Sequence, residues 1–344
     1  MRILKIAILG FGNVGKAYGE FLIKYHEKIK SEYNTDIRVV AIATKTRGNI
    51  VANEGLNLRE VLEDLADNGK FTREELLAEK SGEEIIKDVD FDLLVELTPL
   101  NVRDGQPAIG HMEVAFAGGK AVVTANKGPI AWAYDRLAQL ADAAGVPFFF
   151  ETTVMDGAPV FNMRDHCLRM AEVLEISGVL NTTTNFILGQ LEEGVSFNEA
   201  LEKGRVMGFV EADPSLDLEG WDGAVKITAL ANVLMGAAIT PDQVERESIV
   251  GISGEDLRKA REKGETIKVV CKAWRDQNRQ VLARVKPERV PLTEQLALVN
   301  GTTSAVSITT DLLGNLTIFE NNPDIYQTAY GVFSDTLRVI KESI

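Results

Sequence analysis

A near-continuous apolar run from Ile3 to Leu9 leads straight into G-F-G-N-V-G, and a helix-periodic stretch carrying Ala17, Phe21, Leu22 and Tyr25 follows. Strand, glycine turn and helix in that order commit the N-terminal part to a parallel sheet, because each parallel strand is reached only by a crossover. Gly10 permits the tight turn, Gly12 lets the backbone approach a pyrophosphate, and Gly15 allows the helix to pack closely on its strand. Asn13 and Val14 complete the step from turn to helix. A glycine turn that holds no nucleotide is the competing reading, and placement on the first strand weighs against it.

The alternation continues. Strands are expected over Arg38–Ala43, Phe91–Leu97, Ala121–Thr124 and Pro147–Phe150, with helical stretches between them, the one from Leu56 to Ile86 being acidic. This is read as a six-strand alternating pattern that closes a first domain at residue 150. After the second strand, where an NAD-selective site carries an acid for the ribose 2′-hydroxyl, stand Lys45 and Arg47, which suit a 2′-phosphate or are solvated loop charges. Thr98 and Pro99 sit at a strand's carboxyl end, where doubly wound sheets bind ligands. Lys127, in T-A-N-K-G-P, is expected to follow a strand end rather than lie on an exposed helix, with Gly128-Pro129 stopping a simple continuation.

Glu151 and the turn-rich T-T-V-M-D-G-A-P that follows could present oxygens to a cation, or form a plain crossover between domains. Further on, N-T-T-T-N-F-I-L separates a strand near Leu174–Val179 from an apolar-periodic stretch, so its threonines cap a helix or bind substrate. The acidic segment G-F-V-E-A-D-P-S-L-D-L-E-G-W-D-G-A-V-K packs Glu211, Asp213, Asp217, Glu219 and Asp222 ahead of one cation, Lys226. Helical spacing of Ile227, Leu230, Ala231 and Leu234 starts a helix near Gly220, which places Asp222 and Lys226 at i and i+4 on one face. The plain alternative is a surface helix whose pair contributes about 0.3 to 0.5 kcal/mol. Strands over Ile267–Trp274, Val281–Val290, Ala305–Thr309 and Leu316–Phe319 build a second sheet, and Gln327–Ile340 forms a last helix. The fold class is therefore α/β: a dinucleotide-binding domain over 1–150, an α+β domain over 151–320, and a C-terminal helix in 321–344 expected to return to the first.

A formal charge of -14 excludes nucleic acid and anionic membrane as the main partner, since both require a basic footprint. Cys167 and Cys271 form no C-x-x-C pair, and no apolar leader or membrane-length apolar run appears, so the expected compartment is the cytoplasm. His26, His111 and His166 are too scattered to make a metal cage.

Taken together, G-F-G-N-V-G, T-A-N-K-G-P, G-V-L-N-T-T-T-N-F-I-L and the acidic segment resemble homoserine dehydrogenase, in that family's order and from about Ile6 to Asp335. The resemblance implies a Rossmann domain, a mixed-sheet domain for catalysis and dimerisation, and a small-molecule substrate, with L-homoserine and L-aspartate 4-semialdehyde interconverted by hydride transfer. It implies a homodimer and a nicotinamide cofactor, NADP by the cations at Lys45 and Arg47, with NAD the alternative. By motif position it implies functional lysines at Lys127 and Lys226, an active-site acid at Asp222 and substrate contacts from Glu211, Asp217, Thr182 and Thr183. It also implies a monovalent cation, sodium or potassium, on Glu151 and the carbonyls of Val154, Asp156 and Ala158.

Three stretches depart from the family. Thr182 replaces a glycine, F-E-N-N-P-D-I-Y-Q-T-A-Y-G replaces a glycine-rich loop, and Met155-Asp156 replaces small residues in the cation loop. The chain ends without the C-terminal regulatory domain of longer members, so no inhibition routed through one is expected. A reductase of a different small aldehyde or hydroxy acid is the rival reading, and a non-catalytic nucleotide-binding sensor is a third.

Overall fold

The computed structural model describes residues 1–342; positions 343 and 344, the end of the 321–344 segment, lie outside the described residues. The chain divides into two compact units, Met1–Pro159 with the segment from Asp324, and Val160–Pro323.

In the first unit the elements run β1 (Arg2–Leu9), α1 (Asn13–Tyr33), β2 (Thr35–Ala43), β3 (Asn49–Val51), α2 (Leu58–Asn68), α3 (Gly82–Asp88), β4 (Leu93–Glu96), α4 (Ala108–Ala117), β5 (Ala121–Thr124), α5 (Lys127–Ala144) and β6 (Phe148–Phe149). The six-stranded sheet has the order β3-β2-β1-β4-β5-β6. Its neighbours are parallel except β3, which pairs antiparallel with β2. Residues 69–81 are mostly irregular, so the acidic stretch is two helices and not one, broken where Gly69 takes a φ of 69° that ends α2. Strand β3, for which the sequence reading has no range, is only Asn49–Val51, too short to leave a period in the sequence, and being antiparallel it is no part of a strand–helix alternation.

Both faces of the sheet are covered, which is why β1 reads as an apolar run and not an alternation. Leu4, Ile6 and Ile8 pack into one core and Ala7 and Leu9 into the other. Gly10 has φ 90°, and a Cβ there would stand 2.3 Å from the carbonyl oxygen of Leu97, so only glycine lets β1 and β4 end side by side.

The second unit contains α6 (Val160–Cys167), β7 (Val173–Val179), α7 (Thr182–Glu192), α8 (Phe197–Val206), α9 (Ser215–Leu218), α10 (Trp221–Met235), β8 (Glu245–Arg246), α11 (Gly254–Arg261), β9 (Glu265–Arg275), β10 (Val281–Pro291), β11 (Ser304–Thr310) and β12 (Gly314–Glu320). The second sheet, β12-β11-β7-β9-β10-β8, is mixed: β8 runs parallel to β10 and the remaining pairs are antiparallel. Helix α10 lies on β9, β10 and β7. It approaches so closely that a Cβ on Gly223 would stand 2.9 Å from Cys271 Sγ and 3.0 Å from Val285 Cγ1.

The last helix, α12 (Ile325–Glu342), packs on α1 in the first unit. Phe333 stacks obliquely on Phe21 and Tyr25, and the buried hydroxyl of Tyr18 meets Thr336 Oγ1 at 2.9 Å. Among the described residues no helix is long and apolar enough to cross a membrane.

Candidate functional site

In the first unit, Gly10, Gly12, Lys45, Arg47, Thr98, Pro99 and His111 line a cleft of about 620 Å³ at the carboxyl ends of β1, β2 and β4. Gly12 precedes α1 in an extended conformation with no side-chain cap, and a Cβ there would meet nothing within 4 Å. The first amides of α1, at Asn13, Val14 and Gly15, therefore form an uncapped helix start suited to a phosphate anion. The Arg47 guanidinium donates to the Phe11 carbonyl at 2.7 Å, which pins it over the glycine turn, while Lys45 is exposed. Glycine turn, open helix start and paired cations fit a dinucleotide.

Lys127 follows the end of β5, but it does so on a helix. It opens α5, where Asn126 caps the helix by accepting from Gly128 N at 3.1 Å. Pro129 falls in the first turn, where its missing N–H removes no helical bond. The helix kinks instead at Ala133, with φ -147°.

Glu151 is 4% exposed, and its backbone N–H donates to the buried Asp335 carboxylate at 2.8 Å. Val154 is buried beside it, Asp156 has φ 32°, and the Asp156 carboxylate accepts from the Thr328 hydroxyl. Ala158 follows in the same loop, its N–H donating to Met155 O at 2.8 Å. No cluster of three or more His, Cys, Asp or Glu side chains able to hold a metal occurs among the described residues.

The second unit gathers most of the polar residues expected there. Asn181 caps α7, its Oδ1 accepting from Thr184 N at 2.8 Å. The cap is thus an asparagine and not one of the threonines, and Thr182 and Thr183 supply the helix's leading amides. The other end of the Asn181 amide donates to Asp217 Oδ1 at 2.7 Å and to Asp222 Oδ2 at 3.0 Å. Thr183 Oγ1 donates to the second oxygen of Asp217 at 2.7 Å. Burial, reinforced by the charge of Asp222, raises the Asp217 carboxyl above its ordinary value despite these bonds. Charge-assisted bonds contribute about 1.5 to 3 kcal/mol each, and here desolvation outweighs them.

Lys226 Nζ lies 3.5 Å from Asp222 and donates to the Leu180 carbonyl at 2.6 Å. Its helix is not the surface helix of the plain alternative, because α10 is buried along most of its length from Gly223 to Met235. Cys271, beneath the pair, has its thiol pushed by burial to about 12, which makes it inert packing. Glu211 is exposed in the loop before α9, and no hydrogen bond or ion pair joins it to Asp217 or Asp222 among the described residues. Asn181 and the Leu180 carbonyl are members that residue-type reasoning passed over; the helix-capping position just before the threonines was the available signal.

Comparison with known proteins gives the family. A family model described as "Homoserine dehydrogenase, NAD binding domain" matches residues 10–151, and one described as "Homoserine dehydrogenase" matches 159–337. The chain is 32% identical to the NAD(+)-dependent homoserine dehydrogenase of Pseudomonas canavaninivorans, over 97% of this chain and 96% of that protein. It is 36% identical to a homoserine dehydrogenase of Methanocaldococcus jannaschii, over 98% of each. A crystal structure from Archaeoglobus fulgidus superposes with a TM-score of 0.87 at 30% identity, covering 98% of this chain and 99% of that one. With both units matched and the relatives aligned from end to end, the chain belongs to the homoserine dehydrogenase family.

Proposed function

We propose that the chain interconverts L-homoserine and L-aspartate 4-semialdehyde, and that Lys127, Lys226 and Asp222 carry the reaction. The observation that supports this most is the cluster in the second unit, where two carboxylates share one asparagine beside a partly buried, oriented ammonium. When bound, the nicotinamide exchanges a hydride with the substrate carbon; everything else falls to the chain.

Asp217, with Glu211, would hold the substrate ammonium. The leading amides of α7, at Thr182 and Thr183, would take its carboxylate, since the Asn181 cap is bonded to Thr184 N. Lys226 would place positive charge at the oxygen where negative charge grows during hydride transfer, and this stabilises the transition state more than the ground state. Asp222 and the Leu180 carbonyl keep that ammonium in one orientation. Lys127 would serve the same reaction from the helix start beside the Thr98-Pro99 loop, and one of the two lysines delivers the proton.

In this reading the cofactor is NADP, with Lys45 and Arg47 on its 2′-phosphate. A sodium or potassium ion would be held by Glu151 and the carbonyls of Val154, Asp156 and Ala158. The protein is a cytoplasmic homodimer; exposed Leu312, Leu313 and Phe319 at the β11–β12 edge supply apolar area for a partner copy, and light scattering giving a monomer mass would exclude it.

The experiment is a substrate panel followed by nicotinamide absorbance: homoserine, the same alcohol without its amino group, and short 2-hydroxy acids. Homoserine should give the highest kcat/KM by at least tenfold. Equal rates with the deaminated alcohol would remove Asp217 and Glu211 from the site, and no turnover of homoserine would overturn the reading.

A further inference from the structure

Glu96, the last residue of β4, is a fully buried carboxylate that the reaction as proposed does not use. Burying a carboxylate costs several kcal/mol unless donors surround it, and here they come from the Thr98 loop and the end of β5. Thr98 donates to Glu96 Oε1 through both its backbone N–H, at 3.2 Å, and its hydroxyl. The Thr124 hydroxyl, at the end of β5, lies 2.9 Å from the Glu96 carbonyl and 3.4 Å from Oε2. On the remaining side stands the His111 ring of α4, its buried Nδ1 3.6 Å from Oε1, outside hydrogen-bond distance, and without a hydrogen-bond partner among the described residues.

The same donors hold the start of α5. Thr124 Oγ1 accepts from Asn126 N at 2.9 Å, and Asn126 Nδ2 donates to the Thr98 carbonyl at 3.0 Å. Asn126 Oδ1 in turn caps the helix through Gly128 N. Lys127 lies between the cap and the amide it binds. The carboxylate is thus bonded to Thr98, which lines the cofactor cleft, and through Thr98 and Thr124 to the asparagine that sets the direction of Lys127. A residue needed only for packing would not require an ionisable group in a site sealed from water.

We propose that Glu96 is a positioning residue for hydride transfer, locking the Thr98-Pro99 loop and the Asn126 cap into one unit so that Lys127 and the cofactor cleft keep a fixed mutual geometry. This rests on the reading of Lys127 as a reaction lysine. A displacement of about 1 Å in a reacting group can cost on the order of a hundredfold in rate, so loosening one clamp among several should cost less. Glu96→Gln keeps the shape but leaves a single acceptor oxygen between Thr98 and Thr124, so one of the two loses its partner. Thr98→Val loosens the clamp from the opposite side, removing the hydroxyl bond to Oε1 and leaving the backbone one.

The test is a double-mutant cycle on the whole protein: wild type, Glu96→Gln, Lys127→Met and the double variant, with kcat and KM for homoserine and the thermal midpoint of each. Glu96→Gln should lower kcat about tenfold while KM stays within about twofold and the midpoint stays close to wild type. In the Lys127→Met background the same change should add less than twofold, because the group that Glu96 positions is gone. Thr98→Val should reproduce the Glu96→Gln kinetics, and it serves alone if the buried variant does not fold. A full tenfold loss in the Lys127→Met background, or wild-type kcat in both Glu96→Gln and Thr98→Val, would overturn the proposal. Wild-type turnover in Lys127→Met would instead overturn the reading of the lysine, and this proposal with it.

Discussion

The Asp222 carboxylate stands 3.5 Å from the Lys226 ammonium one turn along α10, and both side chains are about five-sixths buried. An exposed pair at this spacing contributes about 0.3 to 0.5 kcal/mol, but leaving one buried charge without its partner costs about 3 to 5 kcal/mol. Asp222 also accepts from Asn181, so it fixes the lysine relative to Asp217 as well as neutralising it. Asp222→Asn should keep the fold, measured by circular dichroism, and lower kcat by about tenfold or more. Unchanged kcat would reduce the pair to a structural role.

Arg47 is already anchored to the glycine turn through the Phe11 carbonyl, so its guanidinium needs little ordering to meet a 2′-phosphate. Each charge-assisted bond there is worth about 1.5 to 3 kcal/mol. Arg47→Ala should weaken NADP binding at least tenfold and leave NAD binding within about threefold, as read from dissociation constants by titration. A preference unchanged by the substitution would remove Arg47 from cofactor selection.

Acid pH should act through Asp217. Burial raises its carboxyl above the ordinary value, so it takes up a proton at a higher pH than an exposed aspartate. The protonated form cannot hold an ammonium. The kcat/KM for homoserine should therefore fall on the acid side above the normal carboxylate range, and Asp217→Asn should be low throughout and lack that limb. A pH profile of Asp217→Asn parallel to wild type would assign the limb to another group.

Replacing sodium and potassium by a bulky organic cation at equal ionic strength should lower activity, because Glu151 is a buried acid at the head of the turn-rich loop that follows β6. Equal rates in the two buffers would show that no monovalent site matters, and Asp156, whose carboxylate is bonded to Thr328, is the residue to suspect.

The alternating strands and the place of the glycine turn were legible because each leaves a short-range mark: an apolar run buried on both faces, a glycine where a Cβ would collide with Leu97. The helical position of Lys127 was not legible, because Gly128-Pro129 signals a break in most contexts and a first helical turn only after a cap such as Asn126. Nor was the burial of α10, since it depends on Cys271 and Val285, distant residues that meet Gly223. For the acids, spacing placed Asp222 on the face of Lys226, but nothing local connects Asp217 to Asn181, 36 residues earlier. Glu96 reads in the sequence as the polar end of a strand; its role is carried by hydrogen bonds to Thr98 and Thr124, visible only in three dimensions.

Steady-state kinetics of homoserine oxidation by Lys226→Met, beside a cofactor-binding titration of the same protein, test the central claim most directly. A lysine that stabilises the developing charge or delivers the proton should, when removed, cost about a hundredfold or more in kcat while cofactor affinity stays within about twofold. Near-wild-type turnover would contradict the account and leave Asp222 and Lys226 as a buried ion pair of α10 with no part in the chemistry.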